Sequence, residues 1–185
     1  MDFSALKKNI NFFIIKVALP ILLAGFIYLF FRTTDTVIFK ITNSVISSDV
    51  LIGLRLFFQK NLNLTSAVIY SLPGGLWLYS FSNLVLIFFN KNQKIQYQLT
   101  LLFLFLIVCT LELFQYLNLT DGTFDLIDLL FYSLAILWSF ISGKKSLHKN
   151  QHYIISNLEA PPIFLLSGIV ICFTVGIYLA DVLTK

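Results

Sequence analysis

"LELFQYLNLTDGTFDLIDLLFY", residues 111–132, joins two long apolar segments and holds four of the nine acidic residues of the chain. The centre of the stretch reads NLTDG, a combination of residues that is typical of a tight turn. Gly122 gives the backbone the freedom that such a turn needs, and Thr123 is a suitable N-cap for a following helix. The stretch therefore predicts a helical hairpin whose two helices are antiparallel neighbours.

Polar side chains recur at helical spacing on both sides of this turn. Glu112 and Gln115 are three residues apart before it, and Asp125 and Asp128 are three residues apart after it. Residues at this spacing share one face of a helix. We expect the four side chains to meet in one shallow pocket near a membrane surface. Arg32, which ends the first apolar segment, should lie at the same level.

The composition excludes an ordinary soluble domain. Of the 185 residues, 58% are hydrophobic and 12% are charged, with a mean hydropathy of +0.86, whereas soluble domains average about 25% charged residues. The basic residues behind the net charge of +4 lie mostly in short loops, so we expect no nucleic acid partner. Membrane lipids are the predicted partners, and the length allows one transmembrane helical domain over residues 1–185.

Five segments are apolar over a length that can cross a bilayer, which takes about 20 residues. They are residues 10–31, 71–89, 97–117, 123–142 and 162–183. The sequence therefore predicts an all-α integral membrane protein, built as a bundle of five transmembrane helices.

The long connection between the first two predicted spans contains an amphipathic segment. In SSDVLIGLRLFFQKN, residues 47–61, Leu51, Leu54 and Phe58 fall on one helical stripe, and Arg55 and Gln59 fall elsewhere. This pattern predicts an interfacial amphipathic segment between helices 1 and 2 that lies in the outer membrane surface. A short helix packed on the bundle is the alternative.

The distribution of basic residues predicts the orientation of the chain. Three regions that the five-span topology places on one side carry most of the lysines, namely Lys7, Lys8 and Lys16, then Lys91 and Lys94, then Lys144, Lys145 and Lys149. Short cytoplasmic loops are enriched in Lys and Arg. The N-terminus is therefore predicted to be cytoplasmic, and the acidic hairpin turn faces outward.

The depth of the acidic residues separates two kinds of role. An ionised side chain in the hydrocarbon core costs about 2.5–3.5 kcal/mol on insertion scales, and such residues usually mark function. We expect Glu112 and Asp128, the deeper carboxylates, to form a functional pocket, with a structural ion pair to Arg32 as the alternative. Asp125 lies in the first turn of its helix, where a carboxylate also stabilises the helix dipole. Both interpretations of Asp125 stay open.

The sequence predicts neither a metal site nor a cofactor. His148 and His152 have a spacing that fits one helical face, but they lie in a basic loop far from the acids and lack a third ligand. The sequence contains no nucleophile motif and no P-loop. The catalytic residues of any reaction are therefore unknown at this stage, and whether the chain is an enzyme stays open.

Two stretches resemble a known family. The run Glu112–x–x–Gln115, a turn, and Asp125–x–x–Asp128 is similar to the polar signature of the VanZ-like membrane proteins. YLFFRTTDTVIF (28–39) and YSLPGGLWLYSFS (70–82) resemble the first half of such proteins. The resemblance implies a small integral protein of the bacterial cytoplasmic (inner) membrane that is associated with the cell envelope. It implies a link to low-level glycopeptide resistance but no reaction.

Three functions are compatible with these residues. The first is binding or sensing of a lipid or cell-wall-related ligand at an outward-facing acidic pocket, with Glu112, Gln115, Asp125, Asp128 and Arg32 as candidate ligand-binding residues. The second is a membrane-embedded hydrolase or transferase that depends on carboxylates. The third is a structural accessory subunit whose acids pair with a membrane protein partner.

Overall fold

The computed structural model describes residues 11–86, 89, 93–120 and 123–148, with side chains up to residue 144. Every regular element in these ranges is a helix, which confirms the predicted all-α class. Three helices are long and apolar enough to cross a membrane, namely Asn11–Phe31, Lys94–Tyr116 and Leu126–Lys144. They correspond to the first, third and fourth predicted spans and indicate a membrane-embedded protein. The predicted fifth span, residues 162–183, lies outside the described residues.

The described ranges contain seven helices in chain order. These are α1 (Asn11–Phe31), α2 (Val37–Val45), α3 (Ser48–Asn61), α4 (Ser66–Tyr70), α5 (Leu72–Leu86), α6 (Lys94–Tyr116) and α7 (Leu126–His148). The predicted span 71–89 corresponds to α5. With 15 residues, α5 is about 22 Å long, because each helical residue adds about 1.5 Å. Its described part is therefore shorter than the hydrocarbon core, which is about 30 Å thick.

A π-helical turn interrupts α1 at Ile14–Ala18 and ends two residues before Pro20. Proline has no backbone N–H and its ring crowds the preceding turn, so the regular hydrogen-bond pattern cannot continue through this region. The Ser80 hydroxyl of α5 donates a hydrogen bond to the Val17 carbonyl over 2.5 Å. The irregular turn of α1 is thus joined to α5 by a buried hydrogen bond.

α5 lies at the centre of the bundle and contacts α1, α6 and most extensively α7. A Cβ added at Gly75 would lie 2.9 Å from the Phe131 Cβ, and one at Gly74 would lie 3.0 Å from the Tyr132 ring. These two glycines therefore allow α5 to approach α7 closely. Leu78 of α5 continues this contact as part of a buried apolar cluster with α6 and α7.

Polar side chains inside the bundle bond to one another and to the backbone. The Asn83 amide donates to the Tyr79 carbonyl over 2.7 Å and to the Ser139 hydroxyl over 3.3 Å. The Tyr97 hydroxyl donates to the Ser139 carbonyl over 3.1 Å. Hydrogen bonds between helices hold membrane bundles together, since lipid offers no competing partners. This network joins α5, α6 and α7 below the acidic hairpin.

Helix α3 packs across the end of α1 and corrects the predicted stripe. Leu51 and Arg55 are buried, whereas Leu54 is 41% exposed. Arg55 donates hydrogen bonds to the Leu29 carbonyl over 2.6 Å and to the Arg32 carbonyl. The last carbonyls of a helix lack partners within the helix. Arg55 therefore faces the bundle because it caps α1, not because the segment is amphipathic in the predicted sense.

Helix α3 packs one apolar side chain on α1 and exposes several others. Phe58 packs on Phe26 and Phe30 of α1, with ring centroids 5.0 and 4.8 Å apart. The exposed large apolar residues of α3 are Val50, Ile52, Leu54, Leu56 and Phe57. The alternative of a helix packed on the bundle therefore describes one face of α3, and an apolar surface remains on its other faces.

Candidate functional site

The helical hairpin closes through Asn118, which has a φ of 55°. The Leu119 N–H donates to the Phe114 carbonyl over 2.8 Å, and the Asn118 N–H donates to the Gln115 carbonyl over 3.0 Å. These two bonds form a Schellman motif, which ends a helix with a left-handed residue that is usually Gly and sometimes Asn. The turn was predicted from Gly122, which lies outside the described residues. Asn118 supplies the left-handed conformation at the end of α6.

Asp125 is the residue that starts α7. Its Oδ1 accepts a hydrogen bond from the Ile127 N–H over 2.8 Å, and the helix begins at Leu126. The prediction that Thr123 is the N-cap is wrong, because Asp125, two residues later, takes that position. Aspartate caps a helix as well as or better than threonine and also interacts with the helix dipole.

Glu112 is the most buried of the described acids of the hairpin, with 3% of its surface exposed. The backbone N–H of Asp125 is directed at its carboxyl group, and the negative charges of Asp128 and Asp125 act on it. Its Oε2 atom has no hydrogen-bond partner among the described residues. A buried carboxylate oxygen without a donor is costly, because the group has lost its hydration without full replacement.

Asp128 lies half-buried next to Glu112, in the first turn of α7. Its polar neighbours are the hydroxyl of Ser71, at the start of α5, the Asp125 carboxylate and the positive charge of Arg32. Ser71 is 1% exposed. The acidic cluster is therefore formed where the last turns of α6, the first turn of α7 and the entry to α5 meet.

Arg32 follows the last residue of α1 and reaches toward this pocket without pairing with it. Its Nη1 donates to the Tyr28 hydroxyl and its Nη2 to the Tyr70 carbonyl, both over 2.9 Å. Its guanidinium lies 4.3 Å from the Tyr28 ring centroid and 5.3 Å from that of Tyr70, which are cation–π distances. The Nε atom has no acceptor among the described residues. Both terminal nitrogens thus bond α1 and α4 instead of a carboxylate.

The structure brings together three of the five predicted site residues, namely Glu112, Asp125 and Asp128, and Arg32 acts on Asp128. Gln115 is half-buried one turn further along α6, and no hydrogen bond joins its side chain to the carboxylates within the described residues.

Sequence reasoning missed Ser71, Tyr28 and Tyr70 as neighbours of the pocket. The Tyr28–Arg32 spacing of four residues was a visible signal, because residues four apart meet on a helix face. Ser71 and Tyr70 depend on how α4 and α5 pack, for which the sequence carried no local signal.

The pocket offers oxygen acceptors but not a ready metal centre. Within the described residues, no group of three or more His, Cys, Asp or Glu side chains is arranged to hold a metal ion. His152 and the side chain of His148 lie outside the described residues. The arrangement suits a ligand that donates hydrogen bonds to two carboxylates. Comparison of the chain with family models, with curated proteins and with solved structures finds no match.

Proposed function

We propose that this chain is an integral protein of the bacterial cytoplasmic membrane that binds or senses a lipid or cell-wall-related ligand. The proposed site is the acidic pocket of Glu112 and Asp128, with Asp125 at its rim and Arg32 beside it. The VanZ-like resemblance supports an envelope role for such a site. One observation carries the proposal: Glu112 is 3% exposed, next to a second carboxylate, and no described residue donates a hydrogen bond to its Oε2 atom.

Membrane physics makes this arrangement unfavourable while both carboxyl groups are ionised. Each charge in the hydrocarbon region costs free energy, and two neighbouring carboxylates also repel each other. A ligand that donates hydrogen bonds or carries positive charge relieves both costs. The free oxygen of Glu112 is the position at which such a ligand gains the most.

The burial of Glu112 favours a ligand pocket over an accessory subunit. An acid that pairs with a partner protein has to face outward from the monomer, but Glu112 faces into the bundle. The exposed side chains of α6 are mainly apolar, among them Leu102, Phe103, Leu106, Leu113 and Phe114. The outer surface of α6 is therefore suited to lipid, and its acid is suited to an internal site.

The proposed topology completes this picture with five spans and a cytoplasmic N-terminus. It rests on the apolar segments and the distribution of basic residues in the sequence, and on the three long helices of the described part. In this topology α3 lies in the outer interface, with its exposed apolar side chains in lipid. The turn between α6 and α7 then faces outward, and so does the pocket.

The proposal is tested by a double-mutant cycle with Glu112→Gln and Asp128→Asn in the full chain. The measured quantity is the lipid or lipid-linked precursor that copurifies with the protein, determined by mass spectrometry. We expect each single variant to lose most of this retention, and the double variant to lose little more, because both residues contact one ligand.

Asp49→Asn is the matched control, since Asp49 is an exposed acid on α3. Thermal unfolding of all variants in detergent separates loss of binding from loss of fold. Unchanged retention in both single variants, or effects that simply add, contradicts a shared pocket.

A further inference from the structure

Buried atoms of opposite charge near the acidic hairpin are not bonded to each other. The Glu112 Oε2 lacks a donor and the Arg32 Nε lacks an acceptor within the described residues. The charge of Asp128 acts on Glu112, and the charge of Arg32 acts on Asp128, so the three groups are electrostatically linked. A simple cation would satisfy the acids alone, and a simple anion would satisfy the arginine alone. A ligand with both charges satisfies both.

The acidic end of the site selects the type of cation. A carboxylate oxygen that lacks a hydrogen bond requires an N–H or O–H donor, and a primary ammonium has three donors in a compact group. A quaternary ammonium has none. Hard divalent cations need about six or more oxygen ligands, and the described part of the chain forms no three-residue group of that kind. The acids therefore fit a primary amine best.

The basic end of the site selects the anion. Arg32 follows Phe31 at the end of an apolar helix, so it lies at the level of lipid headgroups. The Tyr28 hydroxyl and the Tyr70 carbonyl hold the Nη1 and Nη2 atoms of Arg32 in place. Because the guanidinium is planar, these bonds also fix the direction of its Nε–H group. Guanidinium groups recognise phosphate oxygens through such oriented donors.

On the basis of the proposed function, we propose that the pocket binds a phosphoethanolamine group. Its primary ammonium lies between Glu112 and Asp128, and its phosphate lies against Arg32. The same chemistry occurs in phosphatidylethanolamine and in soluble phosphoethanolamine. The position of the pocket at the end of α1 favours the lipid as its source.

The test measures binding of three lipids with identical acyl chains to the purified full chain by native mass spectrometry. Phosphatidylethanolamine has the amine and the phosphate, phosphatidylcholine has a quaternary amine, and phosphatidylglycerol has no amine. We expect the first to bind about tenfold more tightly than the other two, because one charge-assisted hydrogen bond is worth about a factor of ten.

Two variants separate the two ends of the site. Glu112→Gln should abolish the preference for phosphatidylethanolamine over phosphatidylcholine, because the amine contact is lost. Arg32→Gln should weaken the binding of phosphatidylethanolamine and of phosphatidylcholine by about tenfold each. The preference should stay in place, since both lipids carry the phosphate. Asp49→Asn should change neither quantity.

Soluble phosphoethanolamine identifies the source of the group. If it displaces the lipid, the headgroup alone is recognised; if it does not, the lipid is the ligand, and both results agree with the proposed class. Equal binding of the three lipids, or a preference that survives in Glu112→Gln, overturns it. In that case the proposed function still stands if Glu112→Gln reduces the amount of lipid or lipid-linked precursor that copurifies with the protein. Failure of the phosphoethanolamine proposal can therefore be distinguished from failure of the proposed function.

Discussion

At the scale of single residues, Asp125 shows how one side chain serves both a helix and a site. Its carboxylate caps α7 through the Ile127 N–H, and its own N–H is directed at Glu112. The contact to Glu112 is made by the backbone N–H of Asp125 and does not depend on the charge of its side chain. The side chain of Asp125 is therefore important for the start of the helix, and its backbone for the pocket.

Replacement of Asp125 separates these roles. Asp125→Ala removes the cap and should lower the free energy of unfolding by about 0.5–2 kcal/mol. Asp125→Asn keeps an acceptor for the Ile127 N–H and should cost only the dipole interaction, about 0.3–1 kcal/mol. Thermal or denaturant unfolding in detergent measures both. Thr123→Ala is the control, because Thr123 is exposed and precedes the cap; a larger loss there than in Asp125→Ala contradicts the assignment.

The position of three carboxylates at one end of the α6–α7 hairpin could be predicted from the sequence, for a simple reason. The spacing of Glu112, Asp125 and Asp128 around a short turn leaves an antiparallel hairpin few alternatives, so three carboxylates had to meet at one end. The sequence could not predict which residue bonds which. α6 ends at Tyr116, shortly before the left-handed residue Asn118, and α7 begins after Asp125. Such boundaries depend on local competition among several suitable turn and cap residues.

At the scale of helices, α3 is held by the end of α1. Arg55 and Gln59 donate to the carbonyls of Leu29, Arg32 and Phe30, which have no partners within α1. The Arg55 side chain also lies 5.1 Å from the Phe39 ring of α2. One arginine therefore links three helices, and α3 is expected to detach when it is removed.

Arg55→Leu keeps an apolar side chain but removes both hydrogen bonds to α1. We expect a loss of about 1.5–3 kcal/mol in the free energy of unfolding, which is typical for hydrogen bonds of a charged group. Hydrogen exchange should rise in α3 and in the last turn of α1 while α6 and α7 stay protected. Lys60→Leu is the control on the exposed face of α3. If both variants exchange alike, Arg55 does not hold the helix.

The two glycines Gly75 and Gly53 should respond to alanine in opposite directions. A Cβ at Gly75 meets Phe131 at 2.9 Å, whereas one at Gly53 meets nothing within 4 Å. Gly75→Ala should therefore destabilise the bundle by about 1–3 kcal/mol through overpacking. Gly53→Ala should stabilise α3 by up to about 1 kcal/mol, because alanine favours the helix. Unfolding of both variants under identical conditions tests the sign of the change in the free energy of unfolding. A Gly75→Ala variant as stable as the parent protein contradicts close contact of α5 and α7.

Helix types and positions followed from apolar length, but helix faces did not. The long apolar runs of α1, α6 and α7 could be located because a span needs about 20 residues. For α3, the predicted stripe of Leu51, Leu54 and Phe58 assumed that arginine faces water. That assumption fails where a helix end offers free carbonyls, so Arg55 is buried and Leu54 is exposed.

At the scale of the whole molecule, the order of packing was beyond sequence reasoning. Nearly every face of the spans is apolar, so there is no contrast between a core side and a lipid side. The structure places α5 at the centre because its small residues, such as Gly74, Gly75 and Ser80, allow close approach. The position of α5 brings Ser71 beside Asp128 and thereby completes the pocket.

Topology determines whether this pocket is reached from outside the cell. Leu119 is 68% exposed and lies in the α6–α7 turn, and it avoids the left-handed position of Asn118. Ser146 lies near the opposite end of α7, next to Lys144 and Lys145. In a background with Cys109 and Cys172 replaced by alanine, Leu119→Cys should react with a membrane-impermeant thiol reagent in intact cells. Ser146→Cys should react only after the cells are made permeable.

The physical basis of this expectation is the charge asymmetry across α7. Lys144, Lys145 and Lys149 lie around its C-terminal end, while the turn before it, residues 117–124, contains no Lys or Arg. Basic loops stay in the cytoplasm. The cysteine-free parent controls for background labelling, and labelling of both variants after permeabilisation shows that both thiols are accessible. The reverse pattern in intact cells would show that the bundle has the opposite orientation in the membrane. Glu112 and Asp128 would then have to bind a cytoplasmic ligand.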